Sequence, residues 1–129
     1  MKKTILCFSC LLLLIGNPAQ AGDALGSVFD EALMQSKFVL LYDQCVQQGF
    51  IVDQGPIAEQ RLRDYFDGSR TQDEKYKPEG ITGDQVADAA TNALDMLKSK
   101  MTEHPMPLDQ VKCDSLEAVW PKFAKQHGF

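Results

Sequence analysis

A pair of cysteines constrains the fold of this chain more than any other feature, and an N-terminal export signal determines which cysteines form it. Two lysines precede an apolar run from Thr4 to Ile15, and Asn17–Ala21 ends in the small-x-small pattern that signal peptidase cleaves. The run is shorter than the roughly 20 apolar residues that a permanent transmembrane helix needs. We therefore predict that residues 1–21 are a cleaved signal peptide and that the mature chain, beginning at Gly22, is periplasmic or secreted.

Four cysteines are encoded, and two of them, Cys7 and Cys10, leave with the signal peptide. Cys10 lies within the apolar run and not at its end, so lipid attachment is not expected. In an oxidising compartment the remaining two thiols pair, because no third thiol competes with them. A redox-active pair would have its cysteines close in sequence, as in Cys-x-x-Cys. We predict a structural disulfide between Cys45 and Cys113.

The mature chain has the size of one compact domain, which we place at residues 22–129. Loss of two signal-peptide lysines leaves 11 basic and 18 acidic residues, a net charge of −7. Binding a polyanion needs a basic face, so nucleic acid is not an expected partner, and no membrane association is expected after signal cleavage. A basic protein partner would suit this charge, although acidity also simply keeps an exported protein soluble.

Two helices are predicted in the first half of the mature chain. The first begins at a cap formed by Ser27 and ends at Gly49, and its middle, Phe38–Tyr42, is apolar on all sides, which indicates a central helix. The second follows Gly55, with Pro56 in the favoured first helical position, and ends at Asp67-Gly68.

The second half predicts a loop and two more helices. Asp67–Gly80 has no apolar periodicity, so we expect an exposed loop. Thr82 and Gln85 form a capping box for a third helix that ends before His104-Pro105. Ala90 and Ala93 lie on its apolar face, and such small side chains favour close packing against another helix. Leu108–Phe123 predicts a last helix carrying Cys113, with a kink or a restart at Pro121. These elements predict an all-α fold, a small four-to-five-helix bundle with one disulfide.

No catalytic or ligand-binding motif is present. The mature chain offers His104 and His127 but no converging set of metal ligands, and Asp67–Pro78 lacks the glycine and glutamate of a calcium loop. We therefore expect no enzymatic activity, no metal and no cofactor. The methionines are expected to pack in the core or at its rim: Met34, Met96, Met101 and Met106.

Two aromatic residues stand out. Tyr76 lies in the polar segment, where no core requirement explains it, so it is either an interface anchor or folded back on the bundle. Trp120, next to Pro121, is expected in the core.

Two cysteine-containing segments, Phe38-Val-Leu-Leu-Tyr-Asp-Gln-Cys45 and Leu108-Asp-Gln-Val-Lys-Cys113-Asp-Ser-Leu116, carry a family resemblance. With the export signal and the helical pattern, the chain resembles the periplasmic amidase immunity proteins of type VI secretion systems. The resemblance implies a non-enzymatic homodimer that binds a cognate secreted amidase toxin. It also implies inhibition by a loop that enters the amidase cleft holding a cysteine and a histidine.

Transferred to this sequence, the resemblance places partner binding on the exposed polar segment, at Asp73, Glu74, Tyr76 and Lys77. Two alternatives remain open. A small exported helical protein with one disulfide could be an acid-stress chaperone, which exposes apolar surface at low pH. It could also be a carrier of a small hydrophobic ligand, a role that requires a cavity.

Overall fold

The computed structural model describes residues 18–128, and the side chains of residues 21–128. This part of the chain is helical and contains no strand, which confirms the predicted all-α bundle. Residues 1–17, and with them most of the predicted signal peptide, lie outside the described residues. The helices are α1 (Pro18–Gln47), α2 (Ala58–Gly68), α3 (Asp73–Tyr76), α4 (Gly83–Glu103) and α5 (Gln110–Gln126), with 3-10 turns at Ser69–Thr71 and Lys77–Glu79.

Helix α1 is the central element, as its apolar middle predicts. It packs against α2, α4 and α5, and its contact with α4 is the most extensive. The predicted start at Ser27 is wrong, because α1 already begins at Pro18 and runs through Ser27. A serine inside a continuous helix cannot cap it, since the preceding turn already supplies the backbone partners. The helix ends at Gln47, and Gly49 follows with a φ of 84°.

Small side chains let α4 approach α1 closely. Ala90 and Ala93 are buried on the face of α4 that the sequence predicts, and Ala87 and Leu94 are buried beside them. The predicted capping box is present at the start of α4: Gln85 N donates to Thr82 Oγ1, and Thr82 N donates to Gln85 Oε1. Local sequence therefore determines where α4 begins.

An aromatic stack joins α1 to α5. The ring of Trp120 lies parallel to that of Tyr42 with centroids 3.8 Å apart, and Phe38 and Phe123 complete the cluster. Trp120 is buried, as predicted. The Tyr42 hydroxyl donates to Asp53 in the following loop at 2.7 Å, which lowers the pKa of the Asp53 carboxyl. Aromatic packing and this hydrogen bond attach both α5 and the loop to the central helix.

The predicted disulfide is present. Cys45 in α1 and Cys113 in α5 are bonded, with Cα atoms 5.7 Å apart, and both are completely buried. The two cysteines are 68 positions apart in the sequence. The bond therefore links the first helix to the last through the centre of the bundle.

The restart that the sequence offered as one alternative at Pro121 is absent, and one expectation for the methionines is wrong. Helix α5 continues through Pro121 without a restart, because its apolar face packs on α1 on both sides of the proline. Val111 and Val119 are exposed, since the face of α5 that carries Cys113 and Trp120 packs on the bundle. Met34 is 76% exposed on α1, whereas Met101 is buried.

The start of α2 depends on a contact from another helix. Pro56 lies before the N-cap residue Ile57 and not at the predicted first helical position. The Asp43 carboxylate of α1 accepts hydrogen bonds from Ala58 N at 2.9 Å and Glu59 N at 2.8 Å. Burial raises the pKa of Asp43, and these two backbone donors act in the opposite direction. A side chain from α1 thus supplies the cap that the local sequence of α2 lacks.

We expect Asp43→Ala to lower the free energy of unfolding by about 1–2 kcal/mol, the usual cost of losing a helix cap. The physical reason is that two backbone N–H groups of α2 lose their acceptor. Asp30→Ala is the matched control, because Asp30 is exposed on the same helix. Urea unfolding followed by circular dichroism measures both variants. Equal stabilities of the two would contradict the capping role.

Candidate functional site

The segment predicted as an exposed loop is a series of short helical turns. After α2 come the 3-10 turn Ser69–Thr71, α3 (Asp73–Tyr76) and the 3-10 turn Lys77–Glu79, closed by Gly80 with a φ of 73°. The loop prediction is wrong because turns of three or four residues are too short to show apolar periodicity. We call residues 73–79 the ridge.

A hydrogen bond and ion pairs fix the start of the ridge to α4. Gly83 N, at the start of α4, donates to Asp73 Oδ1 at 2.7 Å. Just before the ridge, Arg70 contacts Asp67, Asp84 and Asp88 at 2.7–3.2 Å. These carboxylates, Asp67 first, raise the pKa of the Arg70 guanidinium. The start of the ridge is therefore held against α4.

Gly83 allows the closest approach in this region. A Cβ atom at position 83 would overlap the carbonyl oxygen of Ser69 and would lie 2.9 Å from that of Arg70. Gly83 and Ser69 are both buried. The start of α4 can lie directly against the turn before the ridge only because residue 83 has no side chain.

The four predicted partner-binding residues have different environments on the ridge. Glu74 and Lys77 are exposed and available to a partner. Asp73 is exposed, but its carboxylate already accepts a hydrogen bond from Gly83 N, so this residue positions the ridge. Tyr76 is half-buried, and the Lys75 ammonium lies over its ring, 5.4 Å from the centroid.

Beside the ridge lies an open cleft of about 530 Å³, which sequence reasoning did not predict. Its walls are the first half of α1, the end of α2, the ridge and the start of α4. The side chains that give the cleft its chemical character are Asp23, Glu31, Tyr65, Lys75, Tyr76 and Glu79. These residues come from three separate parts of the sequence, so no local motif could have identified them.

One end of the cleft is tied to the C-terminus of α5. Gln35, which lines the cleft, lies 3.4 Å from His127 through Nε2 and Nδ1. The ring of Tyr65 meets that of His127 edge-on, with centroids 5.4 Å apart. Burial lowers the pKa of His127, and the Glu31 carboxylate acts against that shift. The wall of the cleft therefore depends on the docking of α5.

The ridge and the cleft together form the candidate site. Carboxylates and tyrosine rings can bind a cationic group, while the ridge presents charges of both signs. Among the residues that the structure describes, no group of three or more His, Cys, Asp or Glu side chains is placed to hold a metal ion.

Between residues 18 and 128, no helix combines the length and the apolar character needed to cross a membrane. Comparison of the chain with protein-family models, curated proteins and solved structures found no match.

Proposed function

We propose that this protein is a periplasmic immunity protein, which binds a cognate type VI secretion peptidoglycan amidase and inhibits it by occluding its active site. The observation that supports this most is the ridge, an exposed polar segment whose start is anchored to α4. The export signal and the buried disulfide are in keeping with an oxidising compartment.

Rigidity makes the ridge suitable for binding. A segment already held in its bound conformation loses less conformational entropy on association than a flexible loop does. The bonds of Asp73 and Arg70 provide this order before any partner arrives. An exposed turn of this kind can enter a concave active site. The immunity-protein family that this sequence resembles inhibits its amidases in that way.

The side chains on the ridge suit an interface. Tyr76 combines apolar area with a polar hydroxyl and is of the residue types enriched at binding hot spots. Glu74 and Lys77 flank it and are exposed. The acidic chain would attract a basic toxin over a distance, so the association rate should fall as salt is added.

We expect the triple variant Glu74→Ala/Tyr76→Ala/Lys77→Ala to bind the amidase about 30-fold more weakly, the cost of losing one hot-spot residue. Asp73 is retained, because its removal would also release the start of α4. The measurement is inhibition of peptidoglycan hydrolysis by the cognate amidase, sought among the products of the adjacent genes and titrated with the oxidised mature protein.

The double variant Lys100→Ala/Glu103→Ala is the matched control. It removes one exposed charge of each sign from the end of α4, far along the helix from the ridge. Full inhibition by the triple variant would show that the ridge does not bind the amidase. Failure of the wild-type protein to capture any adjacent-gene product would overturn the proposed function itself, and capture of many unfolded proteins only at low pH would support the chaperone alternative.

A further inference from the structure

We infer that the cleft beside the ridge receives a basic side chain, arginine or lysine, from a segment of the partner protein. The identity of the partner as an amidase rests on the proposed function. The chemistry of the cleft is independent of the proposed function, because it follows from the residues that line the cleft.

Charge is the first argument. Three carboxylates line the cleft, those of Asp23, Glu31 and Glu79, against the ammonium group of Lys75 and, after the predicted cleavage, the new α-ammonium group of Gly22 next to Asp23. Within the described part of the chain none of these carboxylates takes part in a salt bridge, whereas carboxylates elsewhere on the surface pair with Arg63, Arg70 and Lys98. The cleft thus has a net negative charge that the protein itself does not neutralise, and a cationic group would complement it.

The aromatic wall is the second argument. The face of Tyr76 already has an ammonium group, that of Lys75, within the distance at which cations and rings attract each other. Lys75 is exposed and its side chain is flexible, so it can move away. The ring is therefore placed to accept a cation delivered by a partner.

The size of the cleft and the apolar residues at its base are the third argument. A volume of about 530 Å³ lies within the range of ligand-binding clefts and exceeds what one side chain fills. Phe66, Val86 and Ala90 form the base of the cleft, where their few accessible atoms are apolar and can contact the methylene groups of an arginine or a lysine. The cleft can hold the basic side chain together with neighbouring atoms of its peptide segment.

The test is an NMR titration of the isotope-labelled, oxidised mature protein with N-acetyl-arginine N-methylamide. The matched control ligand is the citrulline analogue, which has almost the same shape and no charge. We expect saturable shifts of backbone amides at Glu31, Tyr76, Glu79 and Ala90 with the arginine probe only. Titration continues to about 50 mM, because a single side chain binds with a dissociation constant in the millimolar range.

Substitutions inside and outside the cleft test which charges bind the probe. Asp23 is left unchanged because it is the second residue of the predicted mature chain. The double variant Glu31→Gln/Glu79→Gln should weaken probe binding about tenfold. Lys75→Gln removes the competing cation and should tighten binding about threefold. Glu103→Gln, at an exposed position outside the cleft, should change nothing.

Two results would overturn the inference: no saturable shift at the highest concentration, or equal shifts with the citrulline analogue. Shifts confined to residues outside the cleft would do the same. Inhibition of the amidase is measured separately on the same variants. If the wild-type protein binds the probe but does not inhibit the amidase, the cleft chemistry stands and the proposed function is wrong. If it inhibits the amidase but does not bind the probe, the proposed function stands and the cleft chemistry is wrong.

Discussion

Loss of the Cys45–Cys113 disulfide is expected to lower the free energy of unfolding by roughly 4 kcal/mol, because a loop spanning 68 positions is then free in the unfolded chain. Both cysteines are completely buried, so removal of the bond also leaves two uncrosslinked side chains at the centre of the α1–α5 contact. For a domain of this size the melting temperature should fall by about 15 °C.

Thermal and urea unfolding of the oxidised and reduced wild-type protein measures this effect. Cys45→Ala/Cys113→Ala is the matched variant: it should resemble the reduced protein and should not respond to a reducing agent. A change of less than about 1 kcal/mol on reduction would contradict the chain-entropy argument. It would indicate that the aromatic stack of Tyr42 and Trp120 alone holds α5 in place.

Gly83→Ala is expected to destabilise the protein by about 3 kcal/mol, at the upper end of the cost of overpacking. Alanine normally favours a helix over glycine by about 1 kcal/mol, so the helix propensity alone predicts the opposite sign. Here the added Cβ would meet backbone carbonyl oxygens of Ser69 and Arg70, which cannot rotate away as the end of a side chain can. The start of α4 would have to separate from the turn before the ridge.

Gly68→Ala is the matched control for this prediction. Gly68 has helical backbone angles, φ −59° and ψ −23°, and a Cβ there would have no neighbour within 4 Å. We expect it to stabilise the protein by about 0.5–1 kcal/mol. Chemical unfolding compares the two variants, and a stabilising effect of both substitutions would show that the contact of α4 with Ser69 is not tight.

Gly83→Ala should also affect partner binding at the ridge. Gly83 N donates to Asp73, so a shift of α4 would release one end of the ridge. If the ridge binds the partner as proposed, this variant should bind more weakly even under conditions where it remains folded. Amidase inhibition at low temperature measures this directly.

Much of the architecture follows from local sequence. The Thr82 and Gln85 pair predicts the start of α4, and the alanines on one face of α4 predict its contact with another helix. These predictions are confirmed because a capping box and an apolar stripe depend on residues three or four positions apart. The disulfide could be predicted for a different reason, since only two cysteines remain after residue 21.

The errors occur where distant residues act. The start of α2 depends on Asp43 of α1, and the order of the ridge depends on Arg70 and Asp73 contacting α4. Ser27 has the sequence of a cap but lies inside a longer helix. In each case a tertiary contact or a helical continuation overrides the local signal.

Periodicity and cysteine count are properties of the chain alone, and they were enough to predict the all-α class, the central position of α1 and the pairing of Cys45 with Cys113. The ordered ridge at residues 73–79 and the cleft beside it arise only when the helices pack together. Glu31, Tyr76 and Glu79 become neighbours through the packing of α1, the ridge and α4. That packing buries apolar faces cooperatively, and the side chains left at its edges are placed as a consequence.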